Sequence, residues 1–210
     1  MKKIRLWKNK DELSDKYTLV DDEDYEKVVE AKDKRGKPKK WYCHNNNSSS
    51  DYATSGDRRN SIHRLVMGSP KGMCVDHING DTLDNRKENL RVCTRSQNSQ
   101  NQKIKSHNQS GYKGVYYSKN PFYEKFLKEG PALKKDGTIK KVQPKPYAKP
   151  WVAYIGGGQG KSPIRLGCHA TAEEAAEVRD KKALEIHGEF ARLNFPDKRE
   201  EYLEEMKNER

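Results

Sequence analysis

The stretch Cys74-Val75-Asp76-His77-Ile78-Asn79-Gly80-Asp81-Thr82-Leu83-Asp84-Asn85-Arg86-Lys87-Glu88-Asn89-Leu90-Arg91-Val92-Cys93-Thr94 sets a histidine, several acids and several asparagines between two short apolar pieces. Burying so many polar groups is costly unless they build a site. His77 follows Asp76 at the end of the first apolar piece. A neutral imidazole titrates near neutral pH and a carboxylate holds a hard cation, so the pair suits a general base beside a metal ligand. Asn89 closes the loop, Leu90 to Val92 reads as a return strand, and the polar run Ser96 to Gln102 as a helix. On that helix Asn98 can come back beside Asp76. An EF-hand reading fails, because Ile78 stands where the third calcium ligand belongs and no Glu closes the loop counted from Asp76.

Strand, loop, strand and helix carrying Asp-His, a loop Asn and a helix Asn resembles the HNH nuclease motif, the ββα-metal finger. The resemblance runs from about His63 to Asn101, and VDHINGDTLDNRKENLRVCT is similar to the phage and intron-homing branch, in which the last histidine is often Asn. By position it implies that Asp76 and Asn98 hold one divalent metal, that His77 activates water, and that Asn89 braces the loop presenting His77. Magnesium or manganese is the ion such oxygen ligands suit. His63, in IHRLVM, falls on the upstream histidine of the branch, its role left open.

The chain has 210 residues, room for one large or two small domains, and only 32% are hydrophobic. With a mean hydropathy of -1.20, neither part can bury a deep core. A formal net charge of +12 favours a polyanionic partner, nucleic acid first. Cys43, Cys74, Cys93 and Cys168 form no C-x-x-C pair, which argues against a zinc ribbon and for reduced intracellular thiols. MKKIRLWKNKDEL has no apolar segment behind its basic residues, so the expectation is a cytosolic protein with no membrane partner.

Upstream of the finger, Tyr17 to Val20 and Trp41 to His44 read as strands, and Tyr25 to Ala31 as a helix whose dipole favours Asp21 to Asp24 at its start. Asn45 to Asp51 reads as a polar loop. Tyr52 to Thr54 and Ser61 to Met67 can complete a small sheet that supports the finger, and the segment carrying His63 reads as either helix or strand before the turn Gly68 to Gly72. Downstream, Ser110 to Tyr117, Trp151 to Ile155 and Ile164 to Gly167 read as three strands. Thr171-Ala172-Glu173-Glu174 is a capping box opening a helix with Ala175, Ala176, Ala183 and Ile186 at helical spacing, ended at Gly188.

In this second part YKGV, WVAYI, IRLGCHATAEEAAE and HGEFARLNFP are similar to the plant ethylene-response-factor (APETALA-like) DNA-binding domain, over residues 110 to 196. The resemblance implies a sheet that enters the major groove, with contact positions falling on Lys113, Tyr116, Tyr154 and Arg165. Gly156 and Pro163 stand where that family usually has arginines, so its base preference does not carry over. Trp151 is expected in the core under the helix. The insertion 118–150 is either a ribbon turning at Lys135-Asp136-Gly137-Thr138 or a solvated basic loop, and 197–210 is either a frayed helix or a partner-binding tail.

The expected class is α+β: a ββα-metal finger domain over 1–104, a linker at 105–109, and a three-stranded antiparallel sheet packed on one helix over 110–196. The function expected is a homing-type, site-specific endonuclease hydrolysing double-stranded DNA with a divalent metal, in the cytoplasm of a phage-infected cell, without a small-molecule cofactor. Two alternatives stay open. One is a non-catalytic DNA-binding regulator with a remnant finger, which would not need Asp76, His77, Asn89 and Asn98 together; the other is an RNA-binding protein.

Overall fold

Alternation of apolar and basic residues in Lys2–Trp7 turns Ile4 and Leu6 inward, and the segment forms β1 of the computed structural model. The structure describes residues 1–45, 51–68, 70–104, 106–131, 134–135, 137–139, 145–156 and 162–208, the side chains of 45, 57–59, 122 and 126 excepted. It divides into two units, Met1–Gln102 and Lys103–Arg210. Sequence reading took the first residues only as a basic start and missed this strand.

In the first unit β1 pairs antiparallel with β2 (Leu13–Val20), from Lys2 opposite Val20 to Arg5 opposite Tyr17, with a bulge before Trp7. Helix α1 (Asp22–Val29) follows, with Asp22, Glu23 and Asp24 in its first turn as its dipole favours. Strands β3 (Tyr42–Asn45), β4 (Asp51–Ser55) and β5 (Asp57–Ser61) complete a five-stranded sheet of order β2-β1-β3-β4-β5. Ser61 ends a strand, but Ile62–Met67 is a helix, α2, rather than sheet. Its Ile62 and Val66, one turn apart, are buried, and Gly68 closes it in the left-handed region at φ 56°. Leu6, Val20, Val28, Trp41, Ala53, Ile62, Val66, Val75 and Leu90 form the core, where the Trp41 indole donates to Val28 O at 3.0 Å.

Next come β6 (Cys74–His77) and β7 (Leu90–Cys93), which pair antiparallel with Asp76 opposite Arg91 and His77 opposite Leu90. Helix α3 (Arg95–Gln100) opens on a complete capping box between Thr94 and Gln97. The loop between β6 and β7 is tied back to the N-terminal sheet. Leu19 N donates to Leu83 O and Asn85 N to Leu19 O, each at 2.9 Å, a parallel bridge between Leu19 and Asp84. The acids opening α1 reach the same loop: Asp21 accepts from Lys87 N at 2.8 Å, and the Lys87 ammonium sits 3.0 Å from buried Asp24.

The second unit holds β8 (Val115–Tyr117), α4 (Pro121–Glu129), β9 (Trp151–Ile155), β10 (Ile164–His169), α5 (Ala172–His187) and α6 (Arg199–Asn208). Its sheet is antiparallel in the order β10-β9-β8. Val115, Ala153, Ala172, Ala175 and Ala176 pack together, with Trp151 against them, so Trp151 lies on the helix side. Thr171 caps α5 by accepting from Glu174 N, while the Glu174 carboxylate reaches back to Ala170 N rather than to Thr171. Ile186, expected inward, is exposed, and Leu184 is buried in its place.

The insertion is neither pure ribbon nor pure loop, since it contains α4. Asp136 of the expected hairpin turn lies outside the described residues, as does most of the polar loop at 45–51; Gly137 N donates to Lys134 O and Lys134 N to Thr138 O. The C-terminal tail is a helix anchored by Tyr202, which is 1% exposed and packs with Ile155, Ala183, Leu184 and Ala191.

Candidate nuclease site

Successive residues of a strand face opposite ways, so Asp76 and His77 at the end of β6 look to different sides of the hairpin. Asp76 faces α3. Its carboxylate accepts from the Arg91 guanidinium, Nε at 3.0 Å and Nη2 at 2.8 Å, as the cross-strand register dictates. It also accepts from the Asn101 amide, at 3.2 Å on Oδ1 and 3.0 Å on Oδ2. The same amide lies 2.9 Å from His77 O and 3.3 Å from Ile78 O, so Asn101 clamps the strand end as well as the carboxylate. The helix residue bonded to Asp76 is therefore Asn101, at the C-cap of α3, and not Asn98. Asn98 is half-buried one turn earlier, and among the described residues its carboxamide has no hydrogen-bond partner.

His77 faces the sheet. Its Nε2 lies 3.1 Å from Asn85 Oδ1, and its ring stands edge to face with His63 of α2 at 5.0 Å and with Tyr52 of β4 at 6.2 Å. Burial holds the imidazole below its ordinary range, opposed by the Asn85 bond and the charges of Asp76, Asp81 and Asp84. His63 bonds Ser61 Oγ at 3.0 Å and is pushed down to about 3, by burial first and then by His77 and Arg64. Both rings are thus neutral at neutral pH, the state in which His77 can accept a proton.

Asn89 spans the loop from inside. Its Oδ1 accepts from Asn79 N at 3.0 Å and its Nδ2 donates to Asp84 O at 2.9 Å, closing the two sides of the turn onto one buried carboxamide. Ile78 N donates to Asn89 O at 2.8 Å, which adds a backbone tie next to His77. Asp84 makes a two-pronged contact with Arg86, Nε at 2.8 Å and Nη2 at 2.7 Å, and that guanidinium holds its carboxyl below the usual range.

Among the described residues no group of three or more His, Cys, Asp or Glu is placed to hold a metal ion. The donor set fits a hard divalent ion in a sparer form. One buried carboxylate, Asp76, with a helix carboxamide, Asn98, that has no hydrogen-bond partner among the described residues, is the kind of protein contribution magnesium takes when water and phosphate oxygens complete its shell. Asp76 has Arg91 on Oδ2 and only the longer Asn101 contact on Oδ1.

With this geometry in view, the comparison with known families is decisive for the finger. Residues 62–100 match the HNH endonuclease family. They form an HNH endonuclease domain, and DNA is the substrate such a domain implies. The HNH segment spans α2, the β6–β7 hairpin and α3, and so includes His63, Asp76, His77, Asn89 and Asn98, with Asn101 just beyond. Protein 3.8 of Escherichia phage T7 is 44% identical over 50 residues, a match covering 24% of this chain and 41% of that protein. No solved structure matches. The match to the HNH family ends before the second unit begins, so the ethylene-response-factor resemblance there has no support from it.

The contact positions implied for the second unit separate in the structure. Tyr116 and Tyr154 lie together on the sheet face away from α5, ring centres 5.7 Å apart, and Arg165 pairs opposite Tyr154 on that face. Lys113 does not join them. It precedes β8 and is half-buried, its backbone N and O both held by the Asn194 side chain. Burial, with Arg179 and Arg192 nearby, lowers its ammonium to about 8. Sequence reading also passed over Thr18, Asn85 and Arg91. Only Arg91 left a signal, since pairing His77 with Leu90 puts it opposite Asp76.

Proposed function

We propose that this protein is a site-specific DNA endonuclease of the homing type, in which the first unit cuts and the second recognises. The observation that carries the reading is the buried Asp76-His77 pair at the end of β6, its loop closed by Asn89, inside the segment that matches the HNH endonucleases. His77 takes a proton from water, so that the hydroxide attacks a backbone phosphate, the P–O3′ bond breaks and the leaving 3′-oxygen takes up a proton from solvent, giving 5′-phosphate and 3′-hydroxyl ends. Asp76 and Asn98 would hold magnesium or manganese there, and the ion, when bound, would supply positive charge against that building on the phosphate. Asn89 keeps the turn that presents His77 from opening.

The second unit adds recognition of double-stranded DNA in the manner of the ethylene-response-factor domain. Tyr116, Tyr154 and Arg165 share one sheet face, and an arginine there can read a guanine edge while the lysine-rich surroundings meet phosphates. Lys113, whose backbone N and O are fixed by the Asn194 side chain in the turn before β8, is kept as a proposed contact of this unit. The T7 relative supports a phage setting in which the protein acts in the host cytoplasm, and among the described residues no helix is long and apolar enough to cross a membrane.

A second reading, a DNA-binding regulator with a remnant finger, is favoured by one observation: both oxygens of Asp76 already carry hydrogen bonds from Arg91 and Asn101. One experiment tests the two. The protein is incubated with candidate phage and host genomic DNA plus magnesium, and new 5′ ends are mapped. Ends recurring at one sequence establish the endonuclease; binding without new ends establishes the regulator.

A further inference from the structure

A histidine that accepts a proton at one nitrogen must keep its other proton at the second, and some group has to decide which is which. In this fold the decision is traceable through three buried residues. Thr18 of β2, 0% exposed, sets its hydroxyl 2.8 Å from Leu83 O, and a carbonyl can only accept, so the Thr18 proton goes there. Thr18 Oγ1 is then left with lone pairs toward Asn85, 2.6 Å away. The group Asn85 presents must therefore be its NH2, which also lies 3.4 Å from Leu83 O. Turning the amide over would press its oxygen against one carbonyl oxygen and strand the hydroxyl proton between two competing acceptors. With the NH2 fixed inward, Asn85 Oδ1 faces His77 Nε2 at 3.1 Å, and an oxygen facing a ring nitrogen at that distance requires the proton on that nitrogen.

We infer that Thr18 and Asn85 are positioning residues that fix the His77 tautomer, protonating Nε2 and leaving the Nδ1 lone pair as the base. Among the described residues Nδ1 has no hydrogen-bond partner. The inference rests on the reading of His77 as the general base and adds to it a residue from the N-terminal sheet. The strand β2 is thereby part of the catalytic apparatus although it lies outside the segment matching the HNH family.

The test uses the full-length protein labelled with 15N at histidine. Two-bond proton-nitrogen correlation spectra distinguish an imidazole protonated at Nε2 from one protonated at Nδ1, and His77→Gln assigns the signal. The native protein should show His77 protonated at Nε2. Thr18→Val keeps the shape and removes the hydroxyl, so the amide of Asn85 is free to turn; the Nε2 signature should be lost or mixed, and kcat should fall roughly 10- to 100-fold with KM unchanged. Thr18→Ser restores the hydroxyl and should restore both. Asn85→Asp presents an acceptor whichever way it turns, so it should keep the native tautomer even with Thr18→Val. A native His77 protonated at Nδ1 overturns the inference, as does a Thr18→Val protein that loses kcat with its tautomer unmoved. His77→Ala, assayed for cleavage, judges the general-base reading separately, because the nitrogen spectrum does not depend on cutting.

Discussion

Both units have an apolar core, but they differ in what they bury beside it. Around the candidate site the first unit encloses Thr18, Ser61, Asp76, His77, Asp84, Asn85 and Asn89, nearly all of them hydrogen-bonded to one another or to loop backbone. Beneath α5 the second unit encloses Ala153, Ala172, Ala175, Ala176 and Ala183, and its buried polar residues Arg179 and Asp180 serve a single turn. Small side chains let a helix settle close against a sheet and present a rigid outer face, whereas a polar interior spends stability on fixing the direction of each group. One unit is built to hold atoms in place, the other to hold a surface.

The sharpest way to break this contrast is at the strand end. His77→Ala should reduce cleavage by about 10²- to 10⁴-fold with DNA affinity little changed, as read by single-turnover cutting and filter binding. Asp76→Ala should remove cleavage and also break the charge-assisted contact with half-buried Arg91, destabilising the first unit by about 1.5 to 3 kcal/mol. Urea unfolding of the protein, followed by circular dichroism, would show it. An Asp76→Ala protein as stable as the native one would mean that the ion pair is not structural.

In the second unit the comparable weak point is a backbone contact. Gly114 has φ 74°, and a Cβ there would stand 2.5 Å from Tyr154 O and 2.9 Å from Arg179 Cγ. Gly114→Ala should therefore cost roughly 2 to 4 kcal/mol through strain and overpacking, read as a lower melting temperature. DNA cutting at low temperature should survive if the units work separately.

The ββα finger was legible because its residues carry chemistry as well as pattern: Asp76-His77 marks a strand end, and Asn89 a loop that must be closed. Strand β1 was not, because lysines and an arginine alternate with its apolar residues and read as a basic terminus. Helix α2 hid for another reason, since six mostly apolar residues satisfy a strand or a helix equally until Gly68 and the packing of Ile62 with Val66 decide. Asn98 and Asn101 lie three residues apart, both on or at the end of α3, and spacing alone cannot say which turns toward Asp76. The tail was ambiguous for want of apolar residues, and Tyr202 alone anchors it deeply.

Acid should separate the units by a smaller margin. His63 is neutral in the folded protein, with its pKa lowered to about 3 against an ordinary 6.5, so between these values the unfolded chain binds the extra proton. Its contribution is complete above pH 6.5 and is lost as the pH falls toward 3, with a slope of about 1.4 kcal/mol per pH unit. His63→Gln should flatten the acid limb of the first unit's stability curve, measured by urea midpoints from pH 7 to 4. An unchanged limb would place the acid sensitivity elsewhere.

The smallest effect is a gain. The Tyr202 hydroxyl is buried and unpartnered among the described residues, while its ring fills the space beside Ala183 and Leu184. Tyr202→Phe removes an unsatisfied group and should stabilise the second unit by about 1 kcal/mol, seen as a small rise in melting temperature. A loss instead would show that the hydroxyl has a partner.

The bridge between Leu19 and the loop at Asp84, with the Thr18 to Asn85 bond spanning 67 residues, bears on when the protein becomes dangerous. A hairpin such as β6–β7 closes within microseconds of its residues being free, but contacts between distant parts of the chain wait for the loop between them to be drawn in. On the proposed reading, the orientation of His77 therefore arrives after the finger has its shape. A partly unfolded chain would then carry the whole HNH segment without its working geometry until the first strands are in place.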